Sequence, residues 1–462
     1  MNIKKAHSSS FRDPSGYVVI EGNDVKRVIN PLYFKQYQAL RDSKFYENLI
    51  KKELLIAHEE MSNSNEEIIL KAEKIPFISY PYEWSFNMYK EAALLTLRLQ
   101  KYALEHGFSL KDASAFNVTF HKGKTIFIDT LSFDFYKEGS PWRAYKQFIT
   151  HFLGPLLLAK YHGSQSLKLM HNFIDGIPLK MVSSMLPFKT KLNPLIYSNI
   201  HLLAKSEAKH NEDYDDNGYK VKLSKNGQQN IVKSLYDFIK KLELNEKSEW
   251  GNYYDKTNYS DEAFNQKSKI INSWVADIKP KTLVDIGGND GTFVRKLDIG
   301  IDVSLVCDID NNAVDINHKL MKKNKERSTL PLVLDVINPS SAIGLNNKER
   351  DSFIDRMKEF APDVTLALAL IHHISLTGNV PFVRSAEFFA SFSKFLIIEF
   401  PKREDSWVKR LLKSKSDFKD YFGWYTIANF ETIYSSWFEI IEKKDIQNSE
   451  RTIFFLKNRL IS

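Results

Sequence analysis

The spacing of apolar residues changes character near the middle of the chain. Between Asp261 and Asp277 they recur at helical spacing, which predicts one amphipathic helix. Beyond it, short apolar runs alternate with helix-like stretches. Thr282–Ile286, Val303–Asp308, Pro331–Asp335, Val364–Leu370 and Phe395–Phe400 are the strand candidates. Several are almost continuously apolar, as parallel strands covered on both faces are. Strands separated by helices predict βαβ units and a doubly wound α/β sheet. Phe438–Glu442 and Thr452–Leu456 are joined by a loop too short for a crossover helix, so they must pair antiparallel.

The earlier half reads as α+β. Tyr17–Ile20 and Val25–Ile29 flank Glu21-Gly22-Asn23-Asp24, a hairpin signal. Helical periodicity covers Phe34–Met61 and, more strongly, Tyr89–His106. Two short strands follow, Asn117–Phe120 and Thr125–Ile128, and then helical segments from Trp142 to Tyr161. The stretch Lys205–Asn230 is polar and reads as a linker or long loop. The expected organisation is an N-terminal domain over 1–204, a linker over 205–230 and a second domain over 231–462.

Composition narrows the class. The chain has 462 residues, 43% hydrophobic and 26% charged, which excludes a disordered chain and allows two to three domains. A lone Cys307 excludes an intramolecular disulfide and a Cys-rich zinc site, and points to a reducing compartment. Its place inside an apolar run argues against a nucleophilic role. Met1–Gly16 has no apolar core, and the longest apolar runs, Phe152–Ala159 and Leu366–Ile371, fall short of the roughly 20 residues a membrane helix needs. A soluble cytoplasmic protein is expected. The net charge is +8. Its densest basic stretches, Lys322–Arg327 and Lys402–Lys415, read as solvated helix faces, with an anionic partner as the alternative.

The sharpest motif is Asp285-Ile286-Gly287-Gly288-Asn289-Asp290-Gly291, an acid at a strand end followed by a glycine-rich turn that opens a helix. Glycines let a ligand approach the backbone closely. The second strand ends at Asp308, where an acid can receive both hydroxyls of a ribose. The third ends at Asp335-Val336, where an acid can accept from an adenine amino group beside an apolar neighbour. The fourth leads into Leu370-Ile371-His372-His373.

On the segments LVDIGGNDGTF, VCDID, LVLDV and LALALIHHI, and on the terminal hairpin, Trp250–Leu460 resembles the class I S-adenosylmethionine-dependent methyltransferases. The resemblance implies a Rossmann-like seven-stranded sheet. It implies that Asp285, Gly287, Gly288 and Gly291 hold the methionine end of the cofactor, Asp308 the ribose and Asp335 the adenine. Asn289, Ile309, Val336 and Leu370 complete the implied cofactor set. Asn289 departs from the glycine many members have there, but Asn tolerates left-handed φ. A nicotinamide dinucleotide site would want G-x-G-x-x-G, which is not present.

An oxygen or ammonium acceptor must lose a proton, and neutral imidazole suits that task near neutral pH. His373 is the first choice of base and His372 the second. The first is preferred because Ile371 and His373 would share one strand face. A packing role for either histidine is the alternative. Asn/Asp-Pro-Pro-Tyr/Phe is missing after the fourth strand, which disfavours nucleic-acid bases as acceptors. A saccharide, another small molecule or a protein is left, and a glycan or small molecule is favoured. Tyr253, Tyr254 and Tyr259 are candidates for a lid or for plain packing. A non-catalytic scaffold stays open as a further reading.

In the first half, Asp112 and Asn117 have the spacing Asp-x-x-x-x-Asn, and Asp129 follows a strand pair. This order resembles the protein-kinase and aminoglycoside-kinase fold, which implies a base at Asp112, metal ligands at Asn117 and Asp129, and Mg-ATP as a second, less favoured cofactor. Leu110-Lys111 stands where His-Arg would, Thr130-Leu131 where Phe-Gly would, and the hairpin around Gly22 lacks a glycine-rich phosphate loop. Lys26 or Arg27 could stand near a phosphate. An unrelated α+β domain is the alternative, and no other metal is expected. Across IPFISYPYEWSF, GFSLKDASAFNVTFHKGKTIFIDTLSFDFY and PWRAYKQFITHFLGPLLLAKY the chain also resembles NoeA-like nodulation methyltransferases. That implies a surface-glycan connection.

Overall fold

Seven strands of the second half form one sheet, in the order β11-β10-β9-β12-β13-β15-β14. They are β9 (Thr282–Ile286), β10 (Val303–Asp308), β11 (Thr329–Val333), β12 (Val364–Ala367), β13 (Phe395–Pro401), β14 (Phe438–Asp445) and β15 (Arg451–Asn458). The numbering continues from eight strands in the first half. β9 to β13 run parallel, and β15 lies antiparallel between β13 and β14, as the short final loop requires. The helix Asp261–Ile278 packs its apolar stripe, Ile271, Trp274 and Val275, against Leu283, Leu366, Ile453 and Phe455. Trp274 stacks on Phe455 with ring centroids 5.5 Å apart. This is the α/β architecture expected from the alternating pattern.

The computed structural model describes residues 6–210, 222–244 and 261–461. The molecule divides into two compact units: Met1–Glu246 with Ala342–Asp351, and Lys247–Ser341 with Ser352–Ser462. This differs from the division expected at 204 and 231. The helix Lys225–Lys240 buries Val232, Leu235 and Ile239, and Lys90 of the long helix Phe86–Glu105 donates to the Leu242 carbonyl just beyond it. Residues 203–210 are helical as well, so the polar stretch is not one continuous loop.

The first unit opens with an antiparallel sheet in the order β1-β2-β4-β3. Its strands are β1 (Gly16–Glu21), β2 (Asp24–Ile29), β3 (His58–Asn63) and β4 (Ile68–Ala72). The helical period expected over Phe34–Met61 holds only for Phe34–Asp42 and Phe45–Lys51. Met61 lies on β3, an edge strand whose side chains are mostly exposed, so burial periodicity could not report it. After the helix Phe86–Glu105 come β5 (Phe108–Leu110), β6 (Val118–His121), β7 (Lys124–Phe127) and β8 (Phe133–Phe135). β6 and β7 form the expected hairpin, and β5 pairs with β8. Among the described residues, no helix is long and apolar enough to cross a membrane.

Candidate functional site

The glycine turn after β9 is built by backbone geometry. Gly287 has φ +78° and Asn289 φ +49°, so the Asn does take up the left-handed conformation. Both Gly287 and Gly288 donate their N–H to the Cys307 carbonyl, which ties the turn to β10. At Gly288 a Cβ would stand 2.7 Å from the Asp285 carboxyl carbon and 2.8 Å from Val306. Only glycine therefore lets the turn close over the acid.

That turn lines a cavity of about 320 Å³. Asp285, Asp308 and Asp335 stand at its wall, at or just beyond the carboxyl ends of β9, β10 and β11. Ligands bind at this end of open α/β sheets. Every residue of the implied cofactor set except Gly291 lines the cavity: Asp285, Gly287, Gly288, Asn289, Asp308, Ile309, Asp335, Val336 and Leu370. Gly291, φ +79°, begins the next helix and shapes the turn. Ile309 and Ile337 border the cavity at 50% and 48% exposure, two apolar side chains left open to a ring.

The three acids differ electrostatically. Asp285 is 1% exposed and neither of its carboxylate oxygens has a hydrogen-bond partner. Burial raises its pKa to about 7, helped by Asp308 and Asp290 and opposed by the Lys267 cation. Burial likewise raises Asp308 to about 6, against the pull of backbone N–H groups. The Asn289 N–H donates to its Oδ2 and the Asp310 N–H to its Oδ1, each at 2.9 Å. Asp335 accepts the Ile337 N–H at 3.0 Å, which turns the chain at the end of β11.

The histidine pair departs from expectation. β12 ends at Ala367, and a turn through Ala369, φ +50°, follows. Ile371 and His372 are helical and His373 opens a π-helical turn to Thr377, so the pair does not share strand faces. The apolar run Leu366–Ile371 is buried or half-buried first as strand, then as turn, then as helix start, and its pattern cannot separate them. The two rings lie 4.1 Å apart between centroids. His373 lines the cavity, whereas His372 is 2% exposed and its Nδ1 has no partner. Burial lowers both pKa values, and Arg451 lowers them further, so both imidazoles are neutral at pH 7.

The sequence reading missed Lys267, Phe264 and Phe293, which line the same cavity. A signal for Lys267 existed. It falls on the apolar stripe of its helix with Ala263, Ile270, Ile271 and Trp274, a lysine at a core position. Tyr253, Tyr254 and Tyr259 lie outside the described residues.

In the first unit the structure gathers Asp112, Asn117 and Asp129. Asp112 accepts from Gln147 Nε2 at 2.8 Å and from the Ser114 N–H at 2.9 Å, and the Asn117 amide hydrogen-bonds it too. Burial and the nearby Asp129 raise the Asp112 pKa. Asp129 accepts from the Ser132 hydroxyl and the Leu131 N–H, and pairs with Arg27 of β2 at 2.9 Å. Lys26 instead pairs with Glu21 at the hairpin. Among the described residues no group of three or more His, Cys, Asp or Glu side chains is arranged to hold a metal.

The strand order of the second unit, its inserted final strand and the glycine turn between β9 and the next helix define the class I methyltransferase fold. Over 461 residues the chain is 30% identical to nodulation protein NoeA of Rhizobium meliloti (strain 1021), covering 97% of this chain and 95% of that one. It belongs to the NoeA family. No protein-family profile matches it. Among solved structures, the bifunctional kinase-methyltransferase WbdD matches with TM-score 0.33 and 16% identity over 48% of this chain and 45% of its own. The N-methyltransferase NodS from Bradyrhizobium japonicum WM9, in complex with S-adenosyl-L-homocysteine, matches with TM-score 0.31 and 12% identity over 44% and 90%. Magnesium protoporphyrin IX methyltransferase from Synechocystis PCC 6803 matches with TM-score 0.32 and 14% identity over 45% and 92%.

Proposed function

We propose that the chain transfers a methyl group from S-adenosylmethionine to an oxygen or nitrogen of a saccharide or other small acceptor. The observation that carries this reading is Asp285. Its carboxylate is withdrawn from water with both oxygens unbonded, at the end of a glycine turn and facing a cavity. A buried acid in that condition is costly unless a bound group completes it. The residues fit the cofactor: Asp285 for an ammonium, Asp308 for ribose hydroxyls, Asp335 for the adenine amino group, and Ile309, Val336 and Leu370 for apolar faces. The bound cofactor supplies a methyl group already activated by a positive sulfur.

What remains for the protein is alignment, exclusion of water and removal of one proton. His373 is the proposed proton acceptor, because it lines the cavity and is held neutral. His372 lies behind it and is proposed to position it. The nodulation connection of the family makes a glycan the first acceptor to try. Radiolabelled methyl transfer into extract separated into glycan, lipid, protein and small-molecule pools tests the reading. Label in no pool, with S-adenosylhomocysteine still bound, would favour a non-catalytic scaffold.

A kinase activity for the first unit is the second reading, and the Arg27–Asp129 ion pair speaks against it. The acid expected to hold magnesium is already neutralised by a guanidinium. We therefore propose that this unit binds or presents the acceptor and does not turn over nucleotide.

A further inference from the structure

The first unit carries a surface that the proposed reaction does not use, around the short 3₁₀ turn Phe188–Leu192. The turn reads Phe-Lys-Thr-Lys-Leu, and only its central Thr190 is buried. The Thr190 hydroxyl donates to the Pro187 carbonyl at 2.6 Å and lies 2.9 Å from His201 Nε2. His201 Nδ1 lies in turn 2.8 Å from the Ser183 hydroxyl. With the threonine proton already given to a carbonyl, the imidazole donates from Nε2 and accepts at Nδ1. The turn is thus pinned at its middle to the helix Leu179–Met185 and to the π-helical turn Tyr197–Leu202.

Pinning the middle sends the flanks outward. Phe188 is 73% and Leu192 77% exposed, the two most exposed large apolar side chains among the described residues. Lys189 and Lys191 are exposed beside them, and so is Leu202 next to His201. An exposed apolar side chain is ordinary when it stands singly; several held out by one pinned turn are not.

The same region is one-sided in charge. Between Gly163 and Ser206 the sequence holds Lys168, Lys180, Lys189, Lys191 and Lys205 but a single acid, Asp175, and that acid pairs with Arg12. All five lysines are exposed. Lys191 and Lys205 act on one point, since after burial their charges lower the His201 pKa. The Lys191 ammonium also lies 5.3 Å from the centre of the Phe188 ring. Cations therefore rim the apolar tips. A nucleic acid would leave Leu192 and Leu202 without a partner, and the stretch has no arginine to grip phosphates bidentately. A second copy would set lysine against lysine. An anionic bilayer matches both features, because its acyl chains take the apolar tips and its headgroups the ammoniums.

We infer that the surface around Phe188 and Leu192 docks the protein on a bilayer of anionic lipid. The attachment is peripheral, with the tips entering only the boundary between headgroups and acyl chains. A turn ordered in advance loses little freedom on insertion. The inference does not rest on the methyl-transfer reading.

Flotation of the full chain with vesicles tests it. Phosphatidylcholine vesicles containing about a third phosphatidylglycerol should bind the native chain at least roughly tenfold tighter than phosphatidylcholine alone, and salt at about 0.5 M should remove most of that preference. Phe188→Ser with Leu192→Ser should weaken binding to the anionic vesicles roughly tenfold or more. Lys189→Gln with Lys191→Gln should weaken it about fivefold per lysine and make what remains less sensitive to salt. Leu32→Ser, at a leucine 70% exposed outside this stretch, should change nothing. Melting temperatures should stay within about two degrees of the native chain, because every substituted side chain is exposed. If the serine pair does not fold, Phe188→Ser alone and the lysine pair decide. Equal binding to both kinds of vesicle, or binding to neither, overturns the inference. So does a serine pair that binds anionic vesicles as tightly as the native chain, which would make the adsorption purely ionic. Self-association of the native chain that the serine pair abolishes, without a change in vesicle binding, overturns it too and makes the face a contact between copies.

Discussion

Asp129 in the first unit and Asp285 in the second occupy similar places. Each ends or follows a strand, and each is largely withdrawn from water, at 14% and 1% exposure. Their partners differ. Asp129 has a guanidinium, a hydroxyl and a backbone N–H. Asp285 has none. The same contrast separates their neighbours: Asp112 is bonded by Gln147, Ser114 and Asn117, whereas Asp285 lies buried beside the glycine turn at the cavity wall with neither oxygen hydrogen-bonded. A cluster of acids that the fold satisfies internally is finished without a ligand. One that the fold leaves incomplete is waiting for one. The glycine motif was already the sharper of the two in the sequence, and their hydrogen bonds separate them further.

The contrast is sharpened most by the proton acceptor. His373→Gln should lower the methyl-transfer rate roughly 10²–10⁴-fold with S-adenosylhomocysteine affinity retained, the usual share of a general base. The deficit should shrink at high pH, where the acceptor ionises unaided. If the rate falls only in step with cofactor affinity, the pair is structural.

Asp285→Asn comes next. Loss of a charged acceptor should weaken S-adenosylhomocysteine roughly 10–100-fold by calorimetry. The ligand-free protein should at the same time become more stable, by on the order of 2–4 kcal/mol near pH 8, because a buried charge without a partner is gone. A variant that loses both affinity and stability would mean that Asp285 is satisfied in the free protein, and the comparison would collapse.

The third concerns the other acid. Arg27→Ala should destabilise the first unit by about 1–3 kcal/mol, since it leaves Asp129 without its cation. It should also create a magnesium-dependent rise in melting temperature with millimolar ATP that the native chain does not show. A rise in the native chain that Asp129→Asn abolishes would reinstate the kinase reading.

The smallest expected effect is on pH. An ammonium needs Asp285 ionised, so affinity should be full above about pH 7 and fall roughly tenfold per unit below it, more steeply once Asp308, near 6, is also protonated. Folding stability without ligand should run the other way. For a buried acid of raised pKa, the folded state binds the proton more readily than the unfolded one. The stabilising contribution is complete below the unfolded value near 3.8 and is lost as pH rises through about 7. Melting curves across this range, with and without S-adenosylhomocysteine, check both signs.

Much of the second unit was legible in the letters. β9, β10 and β13 begin where the apolar runs begin, because strands buried on both faces write their whole length as apolar residues. The acids near their ends were legible because a charge stands out against an apolar run, although Asp285 and Glu399 are themselves buried. The pattern fails where burial continues but geometry changes. At Leu368–Ile374 the chain is buried or half-buried while it passes from turn to helix beyond the end of β12, so the histidines were assigned to a strand they do not occupy. It fails again at β3, an exposed edge strand without a buried face to show a period. Lys267 was overlooked because a single lysine on an amphipathic helix reads as solvated unless its partner is known, and Glu399 lies 132 residues away.

By itself the sequence determined the α/β class of the second unit, its glycine turn, and which acids stand at the strand ends, because local apolar period and backbone sterics are properties of short segments. It also determined that no disulfide forms within the chain. Tertiary structure decided what those acids face. Arg27 meets Asp129, and Lys267 meets Glu399 beside Asp285, through contacts between residues more than a hundred positions apart. Whether a buried charge is satisfied depends on the few ångströms around it, and those are filled by distant parts of the chain that no local pattern records.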